Sequence, residues 1–95
     1  MVSTQRIINN KRLFRFEFPF DDGEIGYLEY RWLKGKMVLM HTIVPGMKSG
    51  NGIGAELVRH TLEHAYAGGL EVVLYCPFAQ GYVEKHPEYK ALIHK

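Results

Sequence analysis

Residues 37–67 read MVLMHTIVPGMKSGNGIGAELVRHTLEHAYA, and this stretch decides the fold. Its first part, 37–44, is a nearly unbroken apolar run, which is typical of a β-strand covered on both faces. Pro45 and Gly46 end that strand. A glycine-rich loop then leads into residues 52–67, where apolar side chains recur at helical spacing. The stretch therefore predicts a central strand, a glycine loop and a helix, in that order.

The flanking sequence completes a mixed sheet. Residues 70–75 are short, apolar and β-rich, so they predict a strand that runs parallel to the central one after a right-handed crossover. Upstream, apolar and polar residues alternate over 13–20 and 27–32, which predicts two antiparallel strands joined by an Asp-Asp-Gly turn. Residues 79–85 and the segment from Pro87 onward predict two short helices. The predicted order is β-β-β-α-β-α-α, an α/β (α+β) fold with a mixed sheet.

Length and composition fit one small domain over residues 1–95. The chain has 46% hydrophobic and 23% charged residues, the composition of a globular protein. Its net charge is only +2 and its basic residues are scattered, so nucleic acid is not an indicated partner. No apolar stretch approaches the roughly 18 residues of a membrane span, and the start lacks a secretory apolar core. The single cysteine, Cys76, suits a reducing compartment, so we expect a cytoplasmic monomer.

The glycine loop is the unusual junction of this chain. Gly50, Gly52 and Gly54 lie where a strand meets a helix N-terminus, whose backbone amides and dipole favour an anion such as phosphate. The alternative is that these glycines serve only a tight turn and close packing. A Walker loop is excluded because Ala55 and Glu56 follow the last glycine. The dinucleotide fingerprint is met in form, but no acidic residue follows the next strand.

Three longer strings carry a resemblance to a known family. They are HTIVPGMKSGNGIGAELV, YCPFAQGYVEKHPEY and the preceding GYLEYRW. Together they resemble the small, single-domain branch of the GNAT superfamily of N-acetyltransferases, and the likeness runs from about Phe14 to Leu92. It implies a reduced GNAT fold that binds acetyl-CoA between two parallel strands, here those ending near Val44 and Cys76. It also implies acetyl transfer to a primary amine, which is either a protein lysine or a small amine.

The resemblance also implies where the cofactor binds. The superfamily's pyrophosphate motif aligns on Ser49, Gly52 and Gly54, and Ser49 departs from it because the family has Arg or Gln there. We therefore expect more reliance on backbone amides, possible help from Lys48, and weaker affinity for acetyl-CoA or CoA. The expected cofactor-binding residues are Ile43, Val44, Lys48, Ser49, Gly50, Asn51, Gly52, Ile53, Gly54, Cys76, Pro77, Phe78, Tyr82 and Lys85.

Catalytic roles are less determined, because the amine of the substrate usually attacks directly in GNAT-like proteins. By resemblance, a backbone amide near Ile43 or Val44 polarises the thioester oxygen. Cys76 is expected at the end of its strand as a nucleophile, as a non-covalent site residue or as a small buried hydrophobe. Tyr82 is the candidate acid for the leaving thiolate, with Tyr75 and Tyr89 as alternatives or with simple packing as its role.

Polar residues also interrupt the central strand. His41 and Thr42 need partners there, and His41 is a candidate base for the proton of the amine or a satisfied interior histidine. His60 and His64 share a helix face but lack a third ligand, so we expect a solvated face and no metal. The competing function is a binding module that holds acyl-CoA without turnover, or an adaptor for protein contacts.

Overall fold

The computed structural model describes residues 6–48, 50 and 52–94. A five-stranded sheet packs against two helices. The strands are β1 (Ile8–Asn10), β2 (Arg15–Pro19), β3 (Ile25–Leu33), β4 (Lys36–Ile43) and β5 (Val72–Leu74), and the helices are α1 (Ile53–Ala67) and α2 (Pro77–Lys85). Short 3₁₀ turns cover Gly46–Lys48 and Pro87–Leu92.

The sheet is mixed, as the sequence predicts. Its order is β1-β2-β3-β4-β5. The first four strands are antiparallel neighbours, whereas β4 and β5 are parallel and are connected through α1. The strand, glycine loop, helix and second parallel strand therefore form one continuous unit, and the cleft expected between β4 and β5 has a place in the fold.

One core joins the helices to the sheet. The side chains of α1 that face it are those expected from the helical spacing: Ile53, Leu57, Val58, Leu62 and Ala65. Phe16, Leu28 and Leu39 of the sheet are fully buried in the same cluster, as is Ala79 of α2. Gly68 caps the C-terminal end of α1, and Gly69 follows with a φ of 66°, a left-handed conformation that favours glycine.

The element order differs from the prediction at both ends. An additional strand, β1, precedes the predicted first strand, and that strand begins at Arg15 instead of residue 13. Phe14 lies in the preceding turn with a φ of 57°. At the C-terminal end, Pro87–Leu92 forms 3₁₀ turns instead of an α-helix, and Ile93 then bridges to Val72. Proline starts the segment, but residues 87–92 are too short for a stable α-helix.

The prediction that 37–44 is covered on both faces was right only for its first half. Met37, Val38 and Leu39 are buried, whereas His41 and Ile43 are exposed. A β-bulge separates the two halves, because the register shifts between Glu29 and Tyr30 of β3. The expectation that His41 is an interior histidine was therefore wrong.

The bulge has a consequence for the chemistry. Tyr30 pairs with Leu39, and Leu28 pairs with Thr42, so β4 has one residue more than β3 between these pairs. Leu28 and Tyr30 are two residues apart on β3, so their side chains lie on the same face of the sheet. Because of the extra residue in β4, their partners Thr42 and Leu39 also lie on that core-facing side, although they are three residues apart.

Candidate functional site

The cleft begins where the parallel pairing of β4 and β5 ends. The last pair is Leu39 with Leu74. Just beyond it, the amides of Tyr75 and Cys76 both donate to the carbonyl oxygen of Leu39, each at 3.0 Å. The chain then turns into α2, for which Cys76 is the N-cap residue, whereas β4 continues to Ile43. The two strands therefore diverge at Leu39.

Thr42 and Cys76 close the base of this cleft. Thr42 Oγ1 lies 3.3 Å from Cys76 Sγ, and either atom can be the donor. Cys76 is only 2% exposed, so the thiol is packed as well as hydrogen-bonded. Thr42 is a site residue that the sequence marks only as a polar interruption, because the β-bulge that turns it toward Cys76 depends on pairing with β3.

The glycine loop presents open backbone amides at the start of α1. Gly50 and Gly52 have φ angles of 88° and 80°, which only glycine adopts without strain. Gly52 is the N-cap residue, and no side chain caps the helix. The first intrahelical bond runs from the amide of Glu56 to the carbonyl of Gly52, at 3.0 Å. Within the described residues, the amides of 53–55 have no hydrogen-bond acceptor, which leaves them available to an anion.

A cavity of about 350 Å³ lies over these amides and extends to Thr42, whose hydroxyl contacts Cys76. Its lining consists of Thr42, Val44, Gly50, Gly52, Ile53, Gly54, Ala55 and Phe78. Gly54 makes room for the Phe78 ring, because a Cβ on Gly54 would lie 3.1 Å from Phe78 Cζ. The expected glycine loop, the end of β4 and the start of α2 therefore meet around one cavity.

A second cavity of about 440 Å³ continues along α2 and shares Ala55 and Phe78 with the first. Its other lining residues are Pro77, Gly81, Tyr82, Lys85 and His86. The rings of Tyr82 and His86 are stacked, with their centroids 4.2 Å apart. Burial raises the pKa of Tyr82, so its hydroxyl stays protonated at neutral pH.

Several predicted site residues lie elsewhere. His41 is exposed, and its partner in β3 is Glu29, on the face of β4 opposite to Thr42. The Lys48 ammonium bonds Asp22, which raises the pKa of Lys48 and lowers that of Asp22. The predicted residues Ser49 and Asn51 lie outside the described part of the chain.

The alternatives to Tyr82 are also placed apart from the cavities at the glycine loop. Tyr75 is 60% exposed, and Tyr89 donates to Glu63 at 2.6 Å. Burial, followed by this bond to Glu63, strongly raises the pKa of Tyr89. A larger cavity of about 610 Å³ lies between the C-terminal half of α1 and the final 3₁₀ segment, and it contains none of the expected cofactor-binding residues.

Two other kinds of site were sought in the described residues. In 6–48, 50 and 52–94, no three His, Cys, Asp or Glu side chains are grouped so that they could hold a metal ion. No helix in the same ranges has the length and apolar character needed to cross a membrane.

Comparison with known proteins bears on the family and the fold. The family model for GCN5-related N-acetyl-transferase matches residues 15–92. A GCN5-like protein from Staphylococcus aureus, whose structure was solved in solution by NMR, superposes with a TM-score of 0.73. The two chains are 23% identical, and the match covers 98% of this chain and 91% of that one. The structural likeness shows the shared fold, and the family match covers β2 to β5, the glycine loop and both helices.

Proposed function

This chain belongs to the GCN5-related N-acetyltransferase family, and from that premise we propose that it transfers the acetyl group of acetyl-CoA to a primary amine, which attacks directly. The observation that carries the proposal is the set of open amides at the start of α1. They face a cavity that also includes Thr42 and Val44 at the end of β4 and Phe78 at the start of α2. A helix N-terminus with unsatisfied amides suits a pyrophosphate, and the cleft suits an extended thioester arm.

The residues present fit such a ligand. The two adjoining cavities measure about 350 and 440 Å³, and pockets for ligands of this size commonly range from about 300 to 1,000 Å³. The first holds the expected residues Val44, Gly50, Gly52, Ile53 and Gly54. We propose that these bind the diphosphate and the pantetheine arm.

The second cavity would hold the remainder of the cofactor. Pro77, Phe78, Tyr82 and Lys85 line it, all expected from the sequence. Lys85 is the cation there, and we propose that it binds a phosphate of the nucleotide end. Ser49 cannot supply the long side chain that the family has at its position, so binding depends mainly on main-chain amides.

Acetyl-CoA supplies an activated thioester. The amine forms a C–N bond to the acetyl carbon, the C–S bond breaks, the amine loses a proton and the departing thiolate gains one. We assign polarisation of the thioester oxygen to a backbone amide near Ile43 or Val44. We assign protonation of the thiolate to Tyr82, which requires the thiol end of the pantetheine arm to lie at the boundary between the two cavities, where Ala55 and Phe78 line both. The support for that role is the position of Tyr82 in the second cavity. Burial raises the pKa of Tyr82, which keeps the hydroxyl protonated but also makes it a weaker acid.

The placement of His41 constrains how the acceptor arrives. Its imidazole is exposed on the face of β4 opposite to Thr42, so it serves as a base only for an amine that approaches from that face. Cys76 is 2% exposed and contacts Thr42, which favours direct attack by the amine over a covalent acyl-cysteine.

Two measurements test the proposal. Acetyl-CoA at about 100 times its Kd should stabilise the fold by about 2.7 kcal/mol, seen as a higher Tm. Acetyl transfer should then be followed over polyamines, amino acids and lysine peptides. No shift with acetyl-CoA or CoA would overturn the proposal, and a shift without turnover on any amine would favour the binding module.

A further inference from the structure

Lys48 connects the glycine loop to a distant turn of the sheet. Its ammonium lies 2.5 Å from Asp22 Oδ2 and 3.5 Å from Glu24 Oε2, both in the turn between β2 and β3. The same ammonium lies 5.2 Å from the centroid of the Phe20 ring. The Lys48 side chain is 23% exposed, whereas those of Asp22 and Glu24 are each 52% exposed, so the ion pair is partly open to solvent.

The turn that carries these two carboxylates is hydrogen-bonded internally. The amide of Phe20 donates to the carbonyl of Glu24 at 2.8 Å, and the amide of Glu24 donates to Asp22 Oδ1 at 3.1 Å. A separate ion pair, Arg6 with Asp21 at 2.9 Å, lies in the same turn, but the Asp21 side chain is 96% exposed and does not contact Lys48. Lys48 therefore bonds to a turn whose backbone is held by its own hydrogen bonds.

Lys48 lies immediately before the glycine loop that leads into α1. It ends the 3₁₀ turn Gly46–Lys48, and its amide donates to the carbonyl of Pro45 at 2.8 Å. Between Lys48 and the first residue of α1 lie Gly50 and Gly52, both at positive φ, where glycine allows many backbone conformations. The packed helix fixes one end of this permissive segment, and Lys48 fixes the other.

We propose that Asp22 and Glu24 are positioning residues for the cofactor, which act by holding Lys48 and thereby fixing the glycine loop with its amides open. The inference rests on the proposed function, since it concerns the same loop. It differs from the expectation that Lys48 itself contacts the phosphates. If Lys48 bound phosphate, the two carboxylates would compete for it and repel the anion, so their removal would strengthen binding.

The two models predict opposite changes in the KM for acetyl-CoA when the carboxylates are removed, and this difference can be measured. In the double variant Asp22→Asn/Glu24→Gln, we expect the KM for acetyl-CoA to rise about threefold or more, with kcat unchanged, because the loop loses an anchor of ion-pair strength. Lys48→Met should raise KM in the same way. Asp21→Asn is the matched control, because it removes a carboxylate from the same turn but one that binds Arg6.

A second readout needs no cofactor. Backbone amides of residues 46–54 should exchange hydrogen faster in the double variant and in Lys48→Met than in the wild type and Asp21→Asn. An unchanged or lowered KM in the double variant overturns the proposal, and so does unchanged exchange. Failure of the wild type to bind CoA would instead contradict the proposed function. The exchange data would still test whether Asp22 and Glu24 hold the loop through Lys48.

Discussion

Thr42 Oγ1 and Cys76 Sγ lie 3.3 Å apart, and they join two neighbouring parallel strands at the point where those strands diverge. The contact makes the base of the cleft polar, although both residues extend from apolar strands. Cys76 is also the N-cap residue of α2, so the helix that lines the second cavity begins directly after this contact.

Direct attack by the amine predicts a defined behaviour for Cys76. Cys76→Ala should keep acetyl transfer within about tenfold of the wild type, because the buried thiol contacts Thr42 and does not carry the acetyl group. It should cost about 1 kcal/mol of stability, since a buried sulfur is removed. Intact-mass spectrometry of the wild type after incubation with acetyl-CoA should show no acetyl adduct. An adduct that Cys76→Ala lacks, together with lost turnover, would establish the covalent route instead.

Gly52 should be intolerant of substitution because of its backbone. Gly52→Ala places a side chain at a φ of 80°, which costs about 1 kcal/mol and turns the amides at the start of α1 away from their present direction. We expect a lower Tm and a much smaller stabilisation by CoA. Gly46→Ala is the control in the same loop, because its φ is not positive and an added Cβ meets nothing within 4 Å. Equal CoA shifts in the two variants would contradict this account.

Gly54 should matter for the cavity more than for the fold. In Gly54→Ala, the gain in helix propensity of about 1 kcal/mol is offset by a Cβ placed 3.1 Å from Phe78 Cζ. The half-exposed ring must move, and it lines both cavities. We therefore expect stability within about 1 kcal/mol of the wild type but weaker CoA binding by calorimetry.

Stability in Gly54→Ala can be compared with that in Gly81→Ala. Gly81 lies inside α2, where an added Cβ has nothing within 4 Å, so this variant should show the full propensity gain. A Gly54→Ala protein that gains as much and binds CoA normally would show that the Phe78 contact is unimportant.

The sequence predicts the local features of this fold well. The spacing of apolar residues predicts α1, unbroken apolar runs predict the two parallel strands, and three glycines mark the loop, because these signals arise from neighbours in the chain. It does not predict β1, whose residues Ile8–Asn10 are two-thirds asparagine, a residue that favours turns. That strand depends on distant partners: the hydroxyl of Tyr30 donates to Asn9 at 2.7 Å, and the Asn10 side chain donates to Glu17 at 3.1 Å.

The candidate site also has residues that local sequence predicts and residues that depend on distant contacts. The glycine positions were predictable because helix starts and positive φ angles have local signatures. Thr42 was not assigned to the site, because its direction follows from a bulge opposite β3. Lys48 was assigned to the cofactor, whereas the structure pairs it with Asp22, which is 26 residues away. Contacts between elements that are remote in the chain leave no periodic signal in either segment.

His60 predicts how stability depends on pH. Burial lowers the pKa of His60 from 6.5, and the nearby charges of His64 and Arg59 lower it further. The folded protein therefore binds this proton less readily than the unfolded chain does. Stability from the neutral imidazole is present above pH 6.5 and is lost as the pH falls below that value toward the folded pKa.

The measurement compares unfolding midpoints about one unit above and about one unit below the unfolded pKa. The wild type should lose more stability on acidification than His60→Gln, whose side chain does not titrate. His41→Gln is the matched control, because its imidazole is exposed on β4, and it should retain the acid sensitivity of the wild type. The His60 imidazole is partly buried and packs edge-on against the Phe16 ring, with the ring centroids 5.4 Å apart. If His60→Gln loses as much stability on acidification as the wild type does, this imidazole is not the group that makes stability depend on pH in this range.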